Sequence, residues 1–245
     1  MSSFSAVSVS ATLLAHHRRE GRGPTLVFLP GYASDLAGTK ALALDAWAAA
    51  NGRAMLRFDY SGCGESPGEF EAQSLAQWRD DTLGMIDDMV EGPVVLVGSS
   101  MGGWLMLLAA LARPERVAGL VGIAAAPDFT EWGYTPEQKS RILEDGRLEL
   151  PSPYGDRPEV TTRALWESGQ TLRLLDAPVA LACPVRLLHG LADADVPWRI
   201  SLRLMEQLRS ADVQASLVKD GDHRLSREGD IALLLATVNR MLEAL

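Results

Sequence analysis

The feature that most constrains this chain is a change of pattern between residues 94 and 112. Apolar residues 94–97 are followed by a cluster of Gly and Ser, and residues 104–112 form a second apolar segment. This order predicts a buried strand, a tight turn and a helix. The turn, residues 98–102, reads Gly-Ser-Ser-Met-Gly and fits the pattern G-x-S-x-G. In that pattern the serine lies on a sharp, strained corner with its hydroxyl clear of the backbone.

Ser100 is therefore the predicted nucleophile. The unusual backbone angles of such a serine crowd any flanking side chain, so small residues are needed on both sides of it. Gly98, Gly102 and Gly103 supply them. Ser99 lies off the pattern, and we interpret its hydroxyl as part of the turn.

A second stretch, residues 64–68, reads Gly-Glu-Ser-Pro-Gly and fits the same pattern. The residue after a nucleophilic serine should donate its backbone N–H to the oxyanion, which Met101 can do and Pro67 cannot. No apolar helix follows this second stretch. We therefore predict an irregular loop there.

Short apolar runs alternate with helix-like segments along most of the chain. Several runs are apolar at consecutive positions, which is typical of strands buried on both faces of a parallel sheet. The predicted fold class is α/β, with a mostly parallel sheet and helices on both faces. The predicted strands are 25–29, 54–60, 94–97, 117–124, 185–189 and 215–219, with an edge strand at 5–14; the predicted helices are 39–50, 74–90, 104–112, 198–209 and 225–245.

Two parts of the chain are predicted to expose polar side chains to solvent. Residues 16–21 contain paired histidines and arginines and are predicted to form a polar turn with solvated histidines. Acidic residues are interleaved with the apolar positions of the helix that starts near Ser74, and we expect them to form a solvated helix face. They are Asp80, Asp81, Asp87 and Asp88.

The residue composition changes between residues 128 and 183, where aromatic, proline and charged residues are mixed. We predict a single hydrolase-like core formed by residues 1–127 and 184–245, with 128–183 inserted as a cap over the strand ends. Helices are expected within the cap at 137–145 and 158–171. The alternative is an ordinary surface excursion.

Charge and length limit the partners. The chain of 245 residues has 23 Lys and Arg against 32 Asp and Glu, a formal net charge of −9, and no basic run. Nucleic acid and anionic membrane surfaces are therefore not expected partners. The most apolar uninterrupted segments are residues 104–112 and 117–127. Both are shorter than the roughly 18 residues that a membrane-spanning helix requires. With no secretory signal visible, we expect a cytoplasmic protein whose oligomeric state is left open.

Two cysteines, Cys63 and Cys183, lie far apart and outside any CxxC motif. This argues against a disulfide framework and against a zinc site, and no other metal site is expected. Cys63 lies in a Gly-rich loop, and its thiol is either reactive or buried and unreactive. We prefer the second interpretation.

A serine hydroxyl needs a neighbouring imidazole to take its proton, and that imidazole needs a carboxylate to orient it. His16 and His17 precede the first core strand, and His189 closes a strand before an Asp-rich loop. His223 remains: it follows the last predicted strand and precedes the final helix.

The predicted acid is Asp193, in the loop after the strand 185–189. It lies three residues after Gly190, the usual placement in enzymes of this kind, and is preferred to Asp195 on that ground. The order serine, acid, histidine along the chain differs from that of chymotrypsin and of subtilisin.

The remaining parts of the site are backbone donors and a pocket. The N–H groups of Met101 and Tyr32 are the predicted oxyanion hole, and Gly31 would allow the necessary close approach. Trp104, Trp132 and Trp166 are candidate substrate-binding residues, with packing in the core as the equal alternative.

Four segments together carry a resemblance to a known family: residues 30–35, 58–66, 98–104 and 221–226. They are similar to the α/β-hydrolase-domain acyl-protein thioesterases and acyl-glucuronide esterases, and the similarity runs over most of the chain. It implies an α/β-hydrolase fold and S-depalmitoylase or carboxylesterase activity, with Ser100, Asp193 and His223 as the triad. A bacterial relative without a mitochondrial address is expected.

We thus predict a serine hydrolase that acts on a small-molecule ester or thioester, or on an acylated protein, and that needs no cofactor. Two alternatives remain open. The same triad serves an amidase or peptidase, and a hydrolase scaffold can also act as a non-catalytic binding module.

Overall fold

The structure is a computed structural model that describes residues 13–152, 155 and 158–245. Most of the edge strand predicted at residues 5–14 lies outside this part of the chain. Leu14, which is described, is buried but belongs to no strand.

A twisted sheet forms the centre of the described chain. In chain order the strands of the described residues are β1 His16–Arg19, β2 Arg22–Leu29, β3 Arg53–Phe58, β4 Val94–Ser99, β5 Val117–Ile123, β6 Arg147–Leu150, β7 Glu159–Thr162, β8 Val185–Gly190 and β9 Val213–Val218. All except β6 and β7 belong to the central sheet, in the order β1-β3-β2-β4-β5-β8-β9; β1 is antiparallel to β3, and the remaining neighbours are parallel. The predicted α/β class is confirmed.

Helices cover both faces of the sheet. Buried side chains of the first and last helices pack on one face, and those of three others pack on the opposite face. The strands between them are apolar on both sides because both sides are covered. The first face is covered by α1 Thr39–Ala50 and α8 Glu228–Ala244, the second by α2 Leu75–Met89, α3 Met101–Ala112 and α7 Arg199–Gln207.

The polar turn predicted at residues 16–21 is wrong, because His16–Arg19 is an edge strand. His16 and Arg18 are on the exposed side of this strand, and the half-buried Arg19 is paired with Asp45 at 2.8 Å, so the strand needs no apolar residue. The solvated acidic face on α2 is also wrong for Asp81. Its side chain is buried, where it accepts hydrogen bonds from the Ser61 N–H at 2.8 Å and from Gln77 at 2.9 Å.

Between β5 and β8 the chain leaves the sheet. It forms α4 Phe129–Trp132, α5 Pro136–Asp145, the antiparallel hairpin of β6 and β7, and α6 Arg163–Thr171. The helix predicted at 137–145 is confirmed by α5, whereas the one predicted at 158–171 begins only at Arg163. Residues 160–162 are Val-Thr-Thr, whose β-branched side chains favour a strand, and Thr162 then caps α6.

Among the helices of the described chain, none combines the length and the apolar character that crossing a membrane would demand.

Both cysteines are free. Burial raises the pKa of the Cys63 thiol to about 12, which favours the unreactive, protonated form.

Candidate active site

The predicted site residues meet at one edge of the sheet. Ser100 follows β4, Asp193 follows β8 and His223 follows β9. These strands are parallel, so the loops after them lie at the same edge, where open α/β sheets bind their ligands. The loops that carry the acid and the histidine are also joined directly: the Ala192 N–H donates to the Gly221 carbonyl at 2.9 Å.

Ser100 lies on a strained corner between β4 and α3. Its backbone angles are φ 54° and ψ −120°, a region that side-chain-bearing residues rarely occupy. Surrounding hydrogen bonds hold the serine there. Its N–H donates to the Ile123 carbonyl at 2.9 Å, and its own carbonyl accepts from Gly103 at 2.9 Å and from Ala126 at 3.0 Å. The end of β5 therefore fixes the corner.

The glycines around Ser100 are required by close backbone contacts. A Cβ atom at Gly102 would lie 2.1 Å from the Leu29 carbonyl oxygen, and one at Gly98 would lie 2.4 Å from the Gly102 oxygen. One at Gly103 would lie 2.5 Å from the Ala125 Cβ. These distances are shorter than any van der Waals contact, so the corner accepts only glycine at these positions.

The side chains of Ser100, His223 and Asp193 form a hydrogen-bonded chain. His223 Nε2 lies 3.1 Å from Ser100 Oγ, and His223 Nδ1 lies 2.9 Å from Asp193 Oδ2. The carboxylate accepts from Nδ1, so Nδ1 carries a proton and Nε2 of the neutral ring faces the hydroxyl as an acceptor. This arrangement can remove the proton from Ser100.

Asp193 has no exposed side-chain surface and is surrounded by donors. Oδ1 accepts the N–H groups of Asp195 at 2.9 Å and Val196 at 2.8 Å. Burial by itself would raise the pKa of Asp193, but hydrogen bonds from His189 and His223 hold that pKa well below its usual range. The carboxylate therefore stays charged and faces His223.

His189 was missed as a partner of the acid. It is fully buried at the end of β8, with Nε2 3.1 Å from Asp193 Oδ2 and 2.9 Å from the Val196 carbonyl oxygen. Both neighbours of Nε2 are acceptors, so Nε2 carries the proton. Nδ1 lies 2.7 Å from Ser201 Oγ. The spacing of four residues between His189 and Asp193, across the turn after β8, was the available signal.

The alternative acid, Asp195, is exposed. A carboxylate oxygen of Asp195 lies within 4.8 Å of ligand atoms of Asp193 and His223. The His223 ring nevertheless forms its hydrogen bonds with Asp193, through Nδ1, and with Ser100, through Nε2.

The loop after β2 lies against the nucleophile. A Cβ atom at Gly31 would be 3.3 Å from both the Ser100 Cβ and the Ser99 carbonyl oxygen. Tyr32 comes next in this loop. Met101, the second predicted donor, is the first residue of α3, where helix N–H groups have no partner within the helix.

The three candidate tryptophans differ in exposure. Trp104 is fully buried and donates Nε1–H to the Leu172 carbonyl at 3.2 Å, so none of its surface is open to a ligand in this structure. Trp132 and Trp166 are partly exposed and donate to the carbonyls of Pro127 and Thr130. A substrate-binding role for the three stays a prediction.

The chain is similar to known proteins over most of its length. Residues 26–240 match the model of the alpha/beta hydrolase family. The chain is 42% identical to palmitoyl-protein thioesterase ABHD10, mitochondrial, from Bos taurus, over 95% of this chain and 77% of the relative. The relative of the same name from Homo sapiens is 41% identical, with the same coverage.

Solved structures give the same result. The alpha/beta hydrolase domain-containing protein 10 from mouse superposes with a TM-score of 0.89, at 41% identity and 94% coverage of both chains. A protein from Agrobacterium vitis S4 superposes with a TM-score of 0.88, at 39% identity and 93% and 92% coverage. The chain therefore belongs to the α/β hydrolase family.

Proposed function

We propose that this hydrolase cleaves acyl thioesters and carboxylic esters through an acyl-enzyme on Ser100. The observation that carries the proposal is the distance of 3.1 Å between Ser100 Oγ and His223 Nε2, on a serine held at φ 54°. A hydroxyl held at a strained corner beside an imidazole is an activated nucleophile, not a structural polar group.

Acylation begins when Ser100 Oγ attacks the acyl carbonyl carbon and His223 Nε2 takes the hydroxyl proton. The carbon–oxygen bond forms and the carbonyl electron pair moves to the oxygen. Collapse of this tetrahedral intermediate breaks the carbon–sulfur or carbon–oxygen bond, and His223 returns the proton to the leaving thiol or alcohol.

The oxyanion is held by the N–H groups of Met101 and Tyr32. Support for Met101 comes from its position at the N-terminus of α3, where the helix dipole favours negative charge. Support for Tyr32 comes from the close approach of Gly31 to Ser100.

Deacylation repeats these steps with water. His223 takes a proton from the water molecule as it attacks the acyl-enzyme, and the serine leaves with that proton. Asp193 stays ionised throughout, orients the ring and stabilises its positive charge. None of these steps draws on a metal or a cofactor.

The proposed substrate is a long-chain acyl thioester on a protein cysteine. The mammalian relatives are named as palmitoyl-protein thioesterases. Residues 128–183 would form a cap over the acyl group, with Trp132 and Trp166 as part of its wall. Contacts that tie this segment to the core support a cap: the Ser168 hydroxyl accepts the Ala76 N–H at 2.9 Å, and the Leu172 carbonyl accepts the Trp104 Nε1–H at 3.2 Å.

The cytoplasmic location stays a prediction, since the mammalian relatives are named as mitochondrial proteins. Fractionation of the source cells, with an antibody against this chain, would test it.

A matched substrate series tests the activity. The same acyl group is presented as a thioester, an oxygen ester and an amide, with acyl chains from 2 to about 16 carbons. We expect hydrolysis of the thioester and ester and far slower hydrolysis of the amide. Equal rates on amide and ester would identify an amidase instead.

A fluorophosphonate probe tests the nucleophile in parallel. The probe should label the native protein and should not label Ser100→Ala, whose kcat should fall on the order of 10⁶-fold. Equal labelling of the two proteins would contradict the assignment. Absence of labelling in native protein would favour the binding module.

A further inference from the structure

Tyr32 carries two groups that point to two different parts of the protein. Its backbone follows Gly31, which approaches Ser100, and supplies one proposed oxyanion donor. Its side-chain hydroxyl donates a hydrogen bond to the carbonyl of Val160 on β7. One residue therefore joins the oxyanion loop to the segment inserted between β5 and β8.

The Tyr32 side chain is held along its whole length. Its ring centroid lies 5.1 Å from that of Phe70, 6.0 Å from Trp78 and 6.4 Å from Phe129. Burial raises the pKa of the hydroxyl well above its ordinary value, so the hydroxyl stays protonated and remains a donor. One packed side chain therefore joins β7 to the backbone of the loop after β2.

The partner strand belongs to the inserted hairpin. Val160 pairs with Glu149 across β6 and β7. A second tyrosine, Tyr134, bonds to the neighbouring residue of the same strand: its hydroxyl lies 2.7 Å from Thr161 Oγ1. Tyr134 lies inside the inserted segment, whereas Tyr32 lies in the core. Of the two tyrosine hydrogen bonds, the one from Tyr32 to Val160 links the hairpin to the oxyanion loop, and the one between Tyr134 and Thr161 does not.

We propose that Tyr32 is a positioning residue whose hydroxyl sets the place of the oxyanion loop through Val160. The N–H of residue 32 then reaches the oxyanion only when β7 is docked, so the position of the cap controls the chemical step. This inference rests on the proposed function, because it presumes that an oxyanion forms beside Ser100.

Tyr32→Phe tests the proposal because it removes the hydroxyl and keeps the ring. Complete loss of an oxyanion donor lowers kcat about 10²- to 10³-fold, so a displaced donor should lower kcat by roughly tenfold. KM for a short acyl ester should stay within about twofold, because a donor that acts on the transition state alone changes kcat and not substrate binding.

Tyr134→Phe is the matched control. It also removes one buried hydroxyl that bonds to β7, but it leaves the oxyanion loop untouched. We expect its kcat to equal that of the native protein. Rates are divided by the number of serines that a fluorophosphonate probe labels at completion, so loss of folded protein does not lower the measured kcat.

Three results would overturn the proposal while leaving the activity intact. They are an unchanged kcat in Tyr32→Phe, an equal fall of kcat in both variants, and a rise of KM in Tyr32→Phe without a fall of kcat. If native protein neither turns over esters nor reacts with the probe, the proposed function itself fails. The two failures are thereby distinguished.

Discussion

Residues 64–68 and 98–102 carry the same five-residue pattern, but their serines lie in different surroundings. Ser100 follows the central strand β4, has φ 54° and faces His223 at 3.1 Å. Ser66 lies in an irregular loop, as predicted, and is buried. Its hydroxyl donates to the Asp59 carbonyl at 2.7 Å and accepts from the Ala15 N–H at 2.9 Å.

The comparison shows what distinguishes a nucleophile from a structural hydroxyl. Both hydrogen-bonding roles of the Ser66 hydroxyl are taken up by backbone groups, which stabilises the loop and the entry to β1. The Ser100 hydroxyl faces an imidazole instead, and its backbone geometry is imposed by β5 and by the end of β2. The pattern alone is shared; the partners are not.

The largest effect is expected when the carboxylate that orients His223 is replaced by an amide. Asp193→Asn should lower kcat about 10⁴-fold, because the amide no longer selects the productive tautomer of His223. Steady-state kinetics on a short acyl ester measure the change. Asp195→Asn, in the same loop, should lower kcat far less. A larger loss in Asp195→Asn than in Asp193→Asn would identify Asp195 as the acid.

A smaller effect on kcat is expected at His189, which acts on Ser100 only through Asp193 and His223. His189→Leu removes the donor 3.1 Å from Asp193 Oδ2. The carboxylate is then free to shift, and a displacement of about 1 Å in a catalytic group costs up to roughly 10² in rate. We expect kcat to fall between about 10- and 100-fold when it is divided by the probe-labelled serines.

The conservative variant His189→Gln separates positioning from packing. Its side-chain amide keeps an N–H donor, so it should recover part of the lost kcat. Equal kcat in the Leu and Gln variants would show that His189 serves packing alone.

The smallest effect on activity is expected at the second serine. Ser66→Ala should leave kcat and probe labelling unchanged. It leaves the Ala15 N–H and the Asp59 carbonyl without their partner, which should lower the free energy of unfolding by about 1–3 kcal/mol. Urea denaturation measures that change. A large loss of kcat with unchanged stability would show that the two serines are less different than their surroundings indicate.

Much of the fold was predictable because the signals were local. The helix predicted at 39–50 coincides with α1, and the strand, corner and helix around Ser100 follow from an apolar run and closely spaced glycines. Errors arose where a segment's environment decides its structure. A polar edge strand such as β1 has no apolar pattern, and the strand β7 forms where β6 offers a partner.

The sequence by itself determined the fold class, the serine corner, and Asp193 and His223 as the candidate partners of Ser100, because each follows from patterns of neighbouring residues and from their order along the chain. Tertiary structure alone decided which groups touch. His189 lies behind Asp193, and Tyr32 reaches a carbonyl 128 residues away on β7. Such contacts depend on how distant elements pack, and a pattern of neighbouring residues does not encode the distance between them.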